Sequence, residues 1–421
     1  MRRALAVSAL ALSACTALTG PDRVNPEVPS WFSHPSGDMS LMFRRSLTIE
    51  GRKVGEDYEQ GRPEIDPEHA RVFVGSSDRG LYALRAFDGS DLWRFETAGM
   101  VQSEPLYDAD QDVVYFGSDD GAMYAVHADD GRLLWRYDTG TEIGKRPALR
   151  GDTLVFVNAA DQIFAVDRTT GKTKWQARRT PALGMEIAGY AGPTIDGGSV
   201  FVAFSDGHVT SYALASGSEK WSVDLSAEAE QAHPNEVLRH MDVDTTPVVV
   251  SDAVGGGPLL VVASYDGGVY ALDEGSGSRM WANTDARGVH ALTHWHERAH
   301  APHPKGPDRG GPIVPARDVV FAASSSTGLW ALDPATGRKV WRIAIPEGGI
   351  TAPVPVAGAI AIGTTHYGLF LLSPIDGRVI DGVNLESGFA MRPAAYGNRL
   401  YAMTNAGTLL GLGVDPPLGR R

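Results

Sequence analysis

RVFVGSSDRGLYALRAFDGSDLWRFET, residues 71–97, is answered by VVYFGSDDGAMYAVHADDGRLLWRYDT, residues 113–139. The same pattern returns near 153, 199, 259, 319, 359 and 399, in units of about 40 residues, and a fixed period of that size marks a repeat architecture. Within a unit an apolar strand leads to a turn such as Asp119-Asp120-Gly121, then a second strand, a second glycine turn and a third strand. Asp-Gly supplies the positive φ that tight hairpins need. Runs such as VVYFG at 113–117 and LLVVA at 259–263 are apolar at every position, so both faces of each sheet are expected to be covered.

Two markers fix the register independently. Four residues after the second glycine stand Trp93, Trp135, Trp175, Trp221, Trp281 and Trp341, with Asp381 at the seventh position. A buried indole there fills the wedge between neighbouring sheets. Ahead of each unit stands a proline: Pro63, Pro105, Pro147, Pro193, Pro247, Pro312, Pro353 and Pro393. Proline cannot donate to a ladder and belongs at a strand start or on an edge strand; eight prolines therefore predict eight innermost strands. The chain reads as an all-β, eight-bladed β-propeller with four-stranded antiparallel blades over 40–421. The eighth unit, 392–414, stops before its outer strand. The lone strand-like segment LMFRRSLTI, 41–49, is expected to supply that strand and close the ring, leaving no unpaired edge there.

Residues 1–14 carry a basic tip, Arg2 and Arg3, and an apolar run too short to span a bilayer, the pattern of a signal peptide. The run ends in Leu12-Ser13-Ala14-Cys15, which resembles the bacterial lipobox, whose thiol receives lipid. Cys15 is the only cysteine, so no disulfide forms within the chain. Acyl chains contribute about 0.8 kcal/mol per buried methylene, enough for several to hold a body at a membrane surface. Residues 15–39 then read as a linker. Thr16 follows the cysteine, where an Asp is the usual inner-membrane retention signal of such lipoproteins, so the resemblance implies the periplasmic face of the outer membrane. Losing two arginines with the signal shifts the formal net charge from −13 to −15, which argues against a nucleic-acid partner.

From the Trp position to the next proline the connector is 12 residues in four of seven cases. The other three, Trp175 to Pro193, Trp221 to Pro247 and Trp281 to Pro312, run 18, 26 and 31 residues. All outer-to-inner crossovers share one face of a propeller, so three consecutive long ones are expected to cluster on one rim, where binding function usually resides. The first offers Leu183, Met185 and Ile187, either as an apolar anchor for a partner or folded back on the blade. The second carries Glu228, Glu230, Glu236, Asp242 and Asp244 against Arg239, a net of −4 that steers a basic partner or simply faces solvent. The third contains His290, His294, His296, His300 and His303. Imidazole clusters bind zinc, but no Cys, Asp or Glu stands at a recognised spacing, and Pro302 and Pro304 favour an extended loop. No metal is expected.

The cadence ALDPATGRKVW at 331–341 resembles the repeat family named after pyrroloquinoline quinone. One branch is quinoprotein dehydrogenases, which stack their cofactor on an adjacent-cysteine disulfide; with Cys15 alone, a quinone-dependent oxidoreductase is a minor alternative and no cofactor is expected. The stretch Glu236-Val237-Leu238-Arg239-His240-Met241-Asp242-Val243-Asp244-Thr245-Thr246-Pro247 is similar to E-x-x-R-x-x-D-V-D-T-T-P of a non-catalytic branch, the outer-membrane assembly lipoproteins of the BamB family. That stretch stands apart from the generic repeat. The resemblance implies a scaffold lipoprotein of the barrel-assembly machinery that binds the periplasmic domains of BamA and assists nascent outer-membrane proteins. It implies partner contacts at Asp242, Asp244 and Arg239, and at Leu183, Met185 and Glu186 of the preceding crossover, where Glu186 stands in place of an expected Arg. Ser387-Gly388-Phe389 is similar to that family's S-G-F before its last blade. An envelope ligand-binding or sensor propeller with another partner stays open as an alternative.

Overall fold

The computed structural model describes residues 37–47, 59–180, 190–227, 242–251, 257–297, 317–345, 349–383 and 388–415. They form eight four-stranded antiparallel sheets. Seven sheets are built from consecutive strands, spanning 63–96, 106–138, 148–178, 194–224, 248–283, 289–343 and 354–383, and are called blades 1 to 7. Blade 8 takes its first three strands from 394–414 and its outer strand from Met39–Ser46, which pairs antiparallel with Thr408–Val414. The closing strand is the one expected.

The second and third strands of each blade are apolar on both faces because both faces meet a neighbouring blade. Val113–Gly117 and Ser199–Ala203 are buried at every position. The core is accordingly a ring of eight interblade clusters, such as Phe73, Leu81, Val114 and Phe116 between blades 1 and 2. Outer strands alternate with solvent, as in Leu133–Asp138, where Trp135 alone is buried.

Each of the six outer-strand tryptophans bonds its own blade to the next. The indole Nε1 donates at 2.7–3.0 Å to a backbone carbonyl one blade on: Trp93 to Ala128, Trp135 to Arg168, Trp175 to Leu214, Trp221 to Glu274, Trp281 to Pro334 and Trp341 to Pro374. The ring lies against the glycine three residues beyond that carbonyl. At Gly337 (φ +67°) a Cβ would come within 2.2 Å of Trp281 Cε3, so this turn needs both the left-handed backbone and the missing side chain. Between blades 8 and 1 two residues share the indole's work. The Phe43 ring packs on Gly89, and the Tyr401 hydroxyl donates to the corresponding carbonyl, Ala86 O, at 2.9 Å.

Seven of the eight prolines open an innermost strand or stand one residue ahead of it, from Pro63 at the start of Pro63–Asp66 to Pro393 before Ala394–Tyr396. Pro312 does not, and it lies outside the described residues. The innermost strand of blade 6 is Val289–Glu297, paired along its length with Arg317–Ser324. Leu292, opposite Ala322, stands where Pro247 stands in blade 5. Two expectations are corrected. His290, His294 and His296 lie on a strand, and the third connector from outer to inner strand is only 284–288. The added length falls between Glu297, the last residue of the innermost strand, and Arg317, the first of the second, and residues 298–316 lie outside the described residues.

Candidate functional site at the mouth of the axial channel

The residue before each inner-strand proline faces the propeller axis. Arg62, Glu104, Arg146, Thr246, Ala352 and Arg392 occupy this position in blades 1, 2, 3, 5, 7 and 8. With Lys145, Asp244, His290 and Met391 they line a cavity of about 300 Å³ to which seven blades contribute. An adjoining cavity of about 390 Å³ shares Glu104, Arg146 and Arg392 and adds Glu64. The basic lining and Glu104 come from blades 8, 1, 2 and 3, while blades 5 to 7 contribute Asp244 and His290 beside the small side chains Thr246, Ala291 and Ala352.

The charges form a connected set. Arg146 donates to both Glu64 carboxylate oxygens at 2.7 Å, to Glu104 at 3.1 Å and to the Pro105 carbonyl at 2.7 Å. Arg392 reaches Glu104 at 3.3 Å, and Arg62 donates to Gly144 O at 3.4 Å. Burial alone would push the Glu104 carboxyl up, but Arg392, Arg146 and Arg62 together hold it below the usual carboxylate range. Lys145 is lowered to about 8, by burial first and by Arg62 second. Its ammonium stands 5.6 Å from the Tyr190 ring centroid, a cation–π distance. Tyr190 is 4% exposed and ends the first long crossover, so that loop re-enters the fold at the channel mouth.

The D-V-D-T-T-P stretch divides into frame and function. Val243 is fully buried and its N–H donates to Phe204 O, as Val101 does to Ser76 O and Ile143 to Ser118 O. Thr245 Oγ1 donates to Ala263 O and accepts from Ala263 N, repeating the clasp of Ser103 on Gly117. Thr246 accepts from Gly192 N at 3.0 Å. Val, Thr and Pro thus belong to the repeat after all, and the two acids are the additions. Asp242 is 8% exposed, buried rather than displayed on a rim. Asp244 is half-buried in the mouth, and its Oδ1 is shielded from solvent with no hydrogen-bond partner. Burial raises the Asp244 carboxyl to about 6, opposed by Lys145 and reinforced by Asp242.

Of the other residues singled out in the sequence, Cys15, Leu183, Met185, Glu186, Arg239 and Ser387 lie outside the described residues. Gly388 and Phe389 are described; a Cβ on Gly388 would meet Thr365 O at 1.8 Å, and Phe389 is fully buried. The S-G-F likeness is therefore a packing feature. Arg62, Glu64, Glu104, Lys145, Arg146 and Arg392 were not singled out, although their place beside the proline register was available as a signal. The two remaining long crossovers, 179–193 and 225–247, flank blade 4 on the face that carries this mouth. Among the described residues no helix is long and apolar enough to cross a membrane.

Comparison with known proteins gives a consistent picture. The chain matches the family model described as outer membrane protein assembly factor BamB over residues 77–343 and 329–416. It is 24% identical over 345 residues to the outer membrane protein assembly factor BamB of Yersinia pestis, covering 81% of this chain and 68% of that protein. It is 25% identical over 224 residues to the protein of the same name from Legionella pneumophila, covering 53% of this chain and 50% of that one. The matched stretches therefore span half to about two thirds of these relatives. Among solved structures, BamB from Moraxella catarrhalis superposes with TM-score 0.65 at 19% identity, over 89% of this chain and 99% of that one. A quinohemoprotein alcohol dehydrogenase from Pseudomonas putida superposes with TM-score 0.64 at 13% identity, over 92% and 78%. Likeness at these identities speaks to the fold, and fold alone does not choose between a scaffold and an enzyme.

Proposed function

Because the chain belongs to the outer membrane protein assembly factor BamB family, a family of assembly factors rather than enzymes, we propose that it is a scaffold of the outer-membrane barrel-assembly machinery. In this reading it sits on the periplasmic face of the outer membrane, tethered by lipid on Cys15, and holds the periplasmic domains of a BamA-type partner at the axial mouth. The observation that carries the reading is Asp244, whose Oδ1 is shielded, unpartnered and set between the ends of two long crossovers. A buried carboxylate oxygen left unmatched is costly. A basic side chain reaching in from a partner removes that cost and gains a charge-assisted bond. Lys145 remains near enough to act on the carboxyl electrostatically, so the partner's cation completes a pair of unlike groups rather than displacing an existing bond. Glu104 and Glu64 are already matched by Arg146 and Arg392, and Arg62 by the Gly144 carbonyl; together they shape the mouth.

Titration of a BamA-type periplasmic segment into the protein tests this. Asp244→Asn keeps the shape and removes the charge, and is expected to weaken binding at least tenfold, about 1.4 kcal/mol. Binding unchanged by this substitution would overturn the assignment of the mouth. For the tether, mass spectrometry of protein extracted from membranes is expected to find acyl chains on Cys15, and Cys15→Ala is expected to release it.

A further inference from the structure

The innermost strand of blade 6 carries chemistry that its neighbours lack. His294 and His296 stand two apart on Val289–Glu297 and so point to the same side of the sheet. Leu292, two further back on that side, packs into the core between blades 5 and 6. On the adjacent strand, Arg317–Ser324, Asp318 lies opposite His296, and Val320 lies opposite His294. His294 Nε2 is 2.6 Å from Asp318 Oδ1, and His296 Nδ1 is 3.7 Å from the same oxygen. One ligand atom from each of the three lies within 4.8 Å of the other two. The side chains are 16%, 33% and 22% exposed in the order His294, His296, Asp318, so the group is recessed yet reachable.

We propose that His294, His296 and Asp318 form a zinc-binding site. A tetrahedral Zn²⁺ with nitrogen and oxygen ligands at about 2.0–2.2 Å sets those atoms roughly 3.3 Å apart. The separations of 2.6 and 3.7 Å bracket that spacing, so rotation about the side-chain bonds admits the ion without moving the ladder. The ion takes the place of the hydrogen that His294 and Asp318 now share, as metal binding releases protons from its ligands. Two imidazoles with one carboxylate suit zinc and its first-row neighbours, whereas calcium and magnesium require oxygen donors throughout. Three protein ligands leave the fourth tetrahedral position to water or to a donor from outside the chain. Placement on two paired strands gives the rigidity that a loop does not.

A second grouping of the same residue types shows what disqualifies a cluster. Asp66, His69 and Asp112 also converge, but Arg71 donates to both carboxylates there, so a guanidinium already fills the cation's place. No arginine or lysine is paired with Asp318 among the described residues. Arg317, next to it, is instead 3.8 Å from Glu297 and stacked over Trp295.

The test uses the whole secreted body without a polyhistidine tag, stripped with chelator and titrated with zinc chloride by calorimetry, with metal content read by mass spectrometry. One equivalent bound at micromolar affinity or better, with a raised melting temperature, is expected; calcium and magnesium at the same concentration are expected to give no heat. His294→Ala with His296→Ala is expected to abolish binding, and Asp318→Asn to weaken it at least tenfold. If the double variant fails to fold, His296→Gln, at the most exposed of the three, replaces it with the same expectation. Zinc below one tenth of an equivalent, or one equivalent retained by the variants, overturns the site.

Discussion

The Asp381 carboxylate accepts a hydrogen bond from the backbone N–H of Met39 at 2.7 Å, joining positions 342 residues apart. Asp381 holds the place that tryptophan holds on the outer strands of blades 1 to 6, and it is 2% exposed. In those blades the indole donates to a turn carbonyl one blade on. Blade 8 has no such turn, because its outer strand arrives from the other end of the chain and begins at Met39. What it offers blade 7 is a free N–H, and an acceptor replaces the donor. Asp381→Ala leaves that N–H unmatched and is expected to cost about 2 kcal/mol, within the range for hydrogen bonds to charged groups. Chemical denaturation of the two proteins side by side measures it.

Removing residues 39–46 should be far more damaging. Thr408–Val414 would become a long, largely apolar edge, the kind that templates aggregation. Expected are a lower melting temperature, a broadened transition and growth of soluble aggregates in light scattering; an unchanged melt would refute the closure.

Gly337→Ala tests the indole seat. The left-handed backbone costs a residue with a Cβ about 1–2 kcal/mol, and the added methyl would also push Trp281 off its carbonyl. A loss of at least 2 kcal/mol, read from the denaturation midpoint with the slope unchanged, is expected. Gly397, also at positive φ but with open space around its Cβ position, is the control and should lose only the backbone part.

The acidity of Asp244 predicts a pH dependence. Its folded value, about 6, is above the ordinary 3.8, so the folded state favours the protonated form. That contribution is fully present below pH 4 and is lost as pH rises through 6. Asp244→Asn is therefore expected to stabilise the isolated protein above pH 7 and to be neutral near pH 4. Lys145 loses a partner in the variant, so the gain should be on the order of 1 kcal/mol rather than the roughly 3 kcal/mol that two pH units alone would give. Urea unfolding at pH 4 and 7.5 decides it. Partner binding is expected to show the reverse trend, weakening below pH 6 as the carboxylate is lost.

Repeats spell out their own fold, so the blade number and the strand order are legible in a pattern seen six to eight times, and the closing strand in the single unit that breaks off before its outer strand. Blade 6 was misread because it lacks the marker. With Leu292 in place of proline, the marker falls to Pro312, well downstream, and an insertion after the inner strand reads as one before it. Two long crossovers, not three, share the face with the channel mouth. Asp242 and Asp244 stood out as a linear motif, but the sequence did not reveal that one is buried and the other faces inward. Asp318 was invisible beside the histidines because it is 24 residues away from His294 and is brought alongside only by the ladder.

The strand synthesised before every blade pairs with the strand synthesised after all the others. Closing so long a loop costs only about 2 kcal/mol more than closing a 40-residue one, because the penalty grows with the logarithm of length. Its weight falls on time rather than on equilibrium. Seven blades can form as the chain emerges, yet Met39–Ser46 stays unpaired until the final strand appears, and through that interval the open ring presents an edge at each side of the gap. A chaperone that shields extended segments would have its longest engagement with this protein at those two edges, and slow refolding should trace to this one step.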